Sequence, residues 1–195
     1  MLYTLPVIYD PNTETIVPDS GAIVRYLDKT YPDTPTLIPP QADTLIAAFE
    51  RAFWGAHKPD WGFVPIIMRA AFSQLRAGSQ PFFRETREKE LGRLEDLAPD
   101  GSEKREECWV KTEKALGNVA KWWEADGKEK TFVMGDVVSY ADIIVASWFL
   151  WFREGLGEES AEWKRMMGWH NGRWARILAA LEKYSAVDEG EDLQL

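Results

Sequence analysis

Apolar and polar residues alternate over two short stretches near the start of the chain and recur at helical spacing over most of the rest. From Leu2 to Asp10 the pattern is that of a strand, and Pro6, which cannot donate to a sheet ladder, belongs where that strand begins. An X-Pro bond at this place is one of the few that adopt the cis form, which would turn the backbone of Leu5 outward. Asn12-Thr13-Glu14 reads as the turn to a second strand, Thr15-Ile16-Val17. Asp19-Ser20 then opens a helix in which Ile23, Val24 and Leu27, with Tyr26 beside them, keep helical spacing. Pro32 and Pro35 close the unit.

The paired prolines of Thr36-Leu37-Ile38-Pro39-Pro40 break helix and mark a linker. Beyond it the spacing predicts helices over 44–55, 64–75, 82–97, 104–126, 140–155, 161–167 and 172–184. Pro59 separates the first two, and Pro65 falls in the first turn of the second, where proline is tolerated. No internal repeat is present.

Composition narrows the classes open to this chain. With 195 residues and 45% hydrophobic content it can bury a sizeable core. The 32 acidic against 23 basic residues, a net charge of -9, argue against a nucleic-acid or anionic-membrane partner. The single cysteine, Cys108, has no internal disulfide partner, which suits a reducing, cytoplasmic compartment. It stands in the stretch KREECW, whose carboxylates disfavour a thiolate. Neither a signal peptide nor a membrane span is expected, since no apolar run reaches about eighteen residues. His57 and His170 lack metal-ligand spacing, so no metal site is expected.

Three features carry chemistry. A helix that begins Asp19-Ser20 offers free backbone N–H groups and the positive end of its dipole, a receptor for a carboxylate or other small anion. In GDVVSYADIIVAS, Ser139 and Asp142 have the spacing of a capping box, with Val138 and Ile143 placed as its hydrophobic staple, a structural device rather than a catalytic one. Ten tryptophans are many for this length, and aromatic walls suit large planar hydrophobic ligands.

The combination of Leu5-Pro6, Asp19-Ser20, the following AIVRYLDKTYPD and the late SYADIIVAS resembles the cytosolic glutathione transferases over nearly the whole chain. The resemblance implies an α/β plus all-α fold, in which the C-terminal part of a thioredoxin-like domain (1–38) precedes an all-helical C-terminal domain (39–187) and an acidic tail (188–195). It implies glutathione as co-substrate, held by the backbone of Leu5 before a cis Pro6 and by the Asp19-Ser20 pair. Trp54, Trp61, Trp109, Trp148 and Trp151 fall on helices that would line the neighbouring cleft, with Phe53, Trp54, His57 and Trp109 as the substrate-binding candidates. Members of the family place a strand, a helix and a second strand before the cis-proline, the first strand bearing the Tyr, Ser or Cys that stabilises the thiolate. Only Met1 to Leu5 stand before Pro6 here, so that unit is expected to be missing; Tyr3 and Thr4 fall in the wrong element, and no catalytic residue is assigned.

Within the family, the stretches TLPVIYDPNT and SYADIIVASWFLWFRE look most like the fungal etherase-like class. The implied function is glutathione-dependent conjugation or ether or thioether cleavage of bulky aromatic compounds, of the detoxification type. The alternative is a non-catalytic module that holds hydrophobic ligands or a protein partner on the same fold. A homodimer is expected from the resemblance alone.

Overall fold

The computed structural model describes residues 5–58 and 60–186. The start of the predicted first strand with Tyr3 and Thr4, the break at Pro59 and the acidic tail 188–195 lie outside the described residues.

Two strands, β1 (Val7–Asp10) and β2 (Thr15–Pro18), form an antiparallel hairpin with Val7 opposite Pro18 and Tyr9 opposite Ile16. The bond between Leu5 and Pro6 is cis. Strand alternation sends Ile8 and Asp10 inward and leaves Val7, Tyr9 and Ile16 exposed on the other face. Helix α1 (Ser20–Thr30) packs on the inner face. There the buried Asp10 carboxylate accepts 2.6 Å hydrogen bonds from the hydroxyls of both Tyr26 and Tyr31, and it caps the turn through the Asn12 N–H. These donors hold its pKa down at about 2.

Six helices follow: α2 (Asp43–Ala56), α3 (Val64–Gln74), α4 (Gln80–Leu91), α5 (Glu103–Trp123), α6 (Tyr140–Leu156) and α7 (Ala161–Leu181). They share one core in which Phe53, Trp109, Phe149, Phe152 and Trp174 are fully buried. Truncating such a residue costs about 3–5 kcal/mol. Two predicted boundaries change. The helix expected over 82–97 stops at Leu91, because Gly92 takes φ 81°, donates its N–H back to the Glu88 carbonyl and turns the chain into a short 3-10 segment, Leu94–Asp96. The two helices expected over 161–167 and 172–184 are segments of α7, separated by a kink at Trp169–Gly172 where the backbone leaves helical geometry.

Three contacts fasten the hairpin and α1 to the helices. The Arg25 guanidinium donates twice to Asp43 on α2, at 2.9 and 2.6 Å. Asp28 accepts from the backbone N–H groups of Leu37 and Ile38 in the linker, and the Tyr140 N–H at the start of α6 donates to the Leu37 carbonyl at 2.8 Å. Farther away, Arg105 on α5 grips Glu162 on α7 with two 2.6 Å hydrogen bonds. Among the described residues no helix is long and apolar enough to cross a membrane.

Candidate functional site

The site begins where the hairpin hands over to α1. Asp19 takes φ 75°, a conformation that a non-glycine residue adopts at a cost and that concentrates at functional places. Its N–H donates to the Pro6 carbonyl at 3.1 Å, which pins the cis-proline loop beside the helix start. Its carboxylate accepts from the Ala22 N–H at 3.1 Å, and its carbonyl accepts from Ile23. The N–H groups of Ser20 and Gly21 are left without a protein acceptor among the described residues, pointing out of the positive end of α1. Gly21 is buried, and a side chain there would press on Asp19 Oδ1 and Arg25.

Pro6 and Ser20 form one end of a cleft of about 370 Å³. Its second wall comes from α2, where Glu50 and Trp54 stand one turn apart. Its third is a face of α6: Tyr140, Ile143, Ile144, Ser147, Trp148 and Trp151 recur at three- and four-residue spacing. Tyr140, at the start of α6, lines the cleft together with Ser20 of α1, and burial raises its phenol pKa. An anion receptor therefore opens into an aromatic wall, an arrangement suited to an acidic ligand at the helix start and a planar apolar one beside it.

Of the residues singled out from the sequence, Pro6, Ser20 and Trp54 line this cleft, and Leu5 and Asp19 flank it along the chain. Phe53 and His57 do not reach it. Trp54 is 36% exposed, whereas Phe53, on a different face of α2, and His57, just past its end, are 0% and 3% exposed and pack into the core behind the wall. Trp109 is on α5, buried against Phe152 and Trp169, and donates its indole N–H to Glu162 at 2.6 Å. Trp148 and Trp151 do line the cleft, and Glu50, Tyr140, Ile143, Ile144 and Ser147 join them without having been singled out. Their helical periodicity was the signal available in the sequence, since positions 140, 143, 144, 147, 148 and 151 share one face.

Cys108 is buried, and desolvation pushes its thiol pKa up, so it is a packing residue rather than a nucleophile. Among the described residues no group of three or more His, Cys, Asp or Glu side chains is gathered as metal ligands would be.

Residues 44–184 match the family model for the C-terminal domain of glutathione S-transferase. Among solved structures, the chain is 50% identical to a glutathione S-transferase of Ceriporiopsis subvermispora in complex with glutathione, covering 96% of this chain and 74% of that one with a TM-score of 0.92. A second glutathione S-transferase of the same fungus, also in complex with glutathione, is 40% identical over 93% of this chain and 72% of that one, with a TM-score of 0.87. The glutathione transferase GSTFuA2 of Phanerochaete chrysosporium is 38% identical over 95% of this chain and 73% of that one, with a TM-score of 0.85. Comparison with curated proteins finds none that matches.

Proposed function

The chain belongs to the glutathione S-transferase family, and on that premise we propose that it binds glutathione at the start of α1 and a bulky aromatic co-substrate in the adjoining cleft. The reaction proposed is conjugation, or ether or thioether cleavage of the etherase-like kind, with the second substrate hydrophobic and aromatic. One observation carries this reading. The unpartnered N–H groups of Ser20 and Gly21 sit beside the cis-Pro6 loop at the mouth of a cleft walled by Trp54, Trp148 and Trp151.

In this reading the γ-glutamyl carboxylate takes the free N–H groups and the Ser20 hydroxyl, with Asp19 holding the helix start in shape. The backbone of Leu5 meets the cysteinyl unit, and the sulfur then lies toward the aromatic wall. An unperturbed thiol is mostly protonated at neutral pH, so turnover needs a donor or positive potential at the sulfur. None of the described residues is assigned that task. Glutathione binding and the aromatic cleft are parts of the proposal that the described residues support by themselves. A cytoplasmic location and a homodimer belong to the proposal as well, on the family resemblance and the single buried cysteine.

Tryptophan fluorescence titrated with glutathione tests the binding half, because three indoles line the cleft. Saturable binding is expected, and Ser20→Ala should raise Kd about tenfold by removing one hydrogen bond to a charged group. An unchanged Kd in that variant would move the binding site elsewhere. A conjugation assay on the same protein separates the two readings of function: binding without turnover supports a ligand-holding module, and measurable turnover overturns it.

A further inference from the structure

The cleft has a polarity that its aromatic walls conceal. At one end the α1 N–H groups favour an anion, while Glu50 is the one charged side chain among the described residues that line the wall. Glu50 stands one turn before Trp54 on the same face of α2, half-buried, and makes no hydrogen bond or ion pair among the described residues. Arg25, whose guanidinium feels the Glu50 charge, is committed to Asp43 by two short hydrogen bonds. Asp19, the cap of α1 at that anion-binding end, adds negative charge rather than relieving it. The remaining lining residues are neutral: indoles, aliphatic side chains, a proline, and the hydroxyls of Ser20, Tyr140 and Ser147.

A carboxylate against such a wall is poorly screened, because the indoles exclude water that would spread its field. An aromatic acid lying along Trp54 and Trp148 would bring a second negative charge close to Glu50 and leave both uncompensated. A neutral ring pays no such penalty, and an amine-bearing ring gains a partner. We propose that Glu50 makes this cleft select neutral or cationic aromatic co-substrates and reject aromatic acids. The inference rests on the reading of the cleft as the aromatic site, and it adds the charge class of the molecule that enters there.

A matched pair of probes tests it on the full chain without turnover: neutral N-phenyl-1-naphthylamine and its sulfonated analogue 1-anilinonaphthalene-8-sulfonate, followed by energy transfer from tryptophan at low ionic strength. The neutral probe should bind more tightly. Glu50→Gln should tighten the anionic probe about five- to tenfold, as expected for one removed like charge near a low-dielectric wall, and leave the neutral probe within about twofold. Glu85→Gln, on the exposed outer side of α4, should change neither. Trp54→Ala should weaken both probes, which places them in the cleft. If both bind there and Glu50→Gln moves them equally or not at all, charge selection by Glu50 is overturned while the aromatic site stands. If neither probe binds, or Trp54→Ala leaves both unchanged, the aromatic-site reading falls and the inference falls with it.

Discussion

His57 shows how much a single position depends on its surroundings. The imidazole stacks on Trp148 at 5.2 Å and meets Phe53 and Phe63 edge-on, and neither ring nitrogen has a hydrogen-bond partner among the described residues. Burial without a partner disfavours the charged form, and the pKa falls to about 4. The unfolded chain binds the proton near 6.5, so the folded state is fully favoured above that value and loses stability as pH falls from 6.5 through 4. At most roughly 3 kcal/mol is at stake over that window. His57→Phe keeps a ring in the cage and removes two orphaned polar atoms. The variant should melt at or above the wild-type temperature at pH 7, and its stability should fall less steeply between pH 6.5 and 4. Identical acid slopes for the two proteins would refute this account. Asp10 does not confound the comparison, because its contribution is lost as pH falls from its ordinary value of 3.8 toward about 2, below that window. The sequence displayed a histidine just beyond the helix expected over 44–55, but its packing against Trp148, 91 positions away, could not be read from local pattern.

At the scale of one element, the start of α6 was legible because its determinants are local. Ser139 and Asp142 are three positions apart, and the Asp142 carboxylate does accept from the Ser139 N–H at 2.9 Å and hydroxyl at 2.8 Å. A third donor was not legible: the Val133 N–H, nine residues back, reaches the same carboxylate at 2.8 Å. Burial nonetheless raises the Asp142 pKa, the three donors offsetting only part of the desolvation. Asp142→Ala would leave the buried Ser139 N–H and the half-buried Val133 N–H without an acceptor. The expected loss is roughly 2–4 kcal/mol, measured by urea denaturation, and a loss below about 1 kcal/mol would mean that water replaces the carboxylate. The same scale explains α2. Its helical period was evident, but which of Phe53, Trp54 and His57 faces the cleft depends on where α6 and the core lie around it, and Trp54 alone of the three turns outward.

For the molecule as a whole, stability is unevenly distributed. The helices share a core of buried tryptophan and phenylalanine, whereas the hairpin leaves Val7, Tyr9 and Ile16 exposed and is joined to α1 chiefly through Asp10, Tyr26 and Tyr31. Native-state hydrogen exchange should therefore show the amides of β1 and β2 opening well below the free energy of global unfolding, while those of α5 and α6 follow it. Equal protection in hairpin and helices would contradict that division. The sequence by itself determined the hairpin, most helix lengths, the α1 start and the α6 cap, because each follows from residues within a few positions of one another. Gly92 ended α4 earlier than periodicity implied, since a glycine's left-handed turn overrides the apolar pattern around it. Only the tertiary structure decided the cleft. It brings Ser20, Glu50 and Tyr140 from three separate helices to one cleft and turns Trp109 away to Glu162, because a site made between elements depends on how they pack, and packing is set by contacts that sequence spacing does not encode.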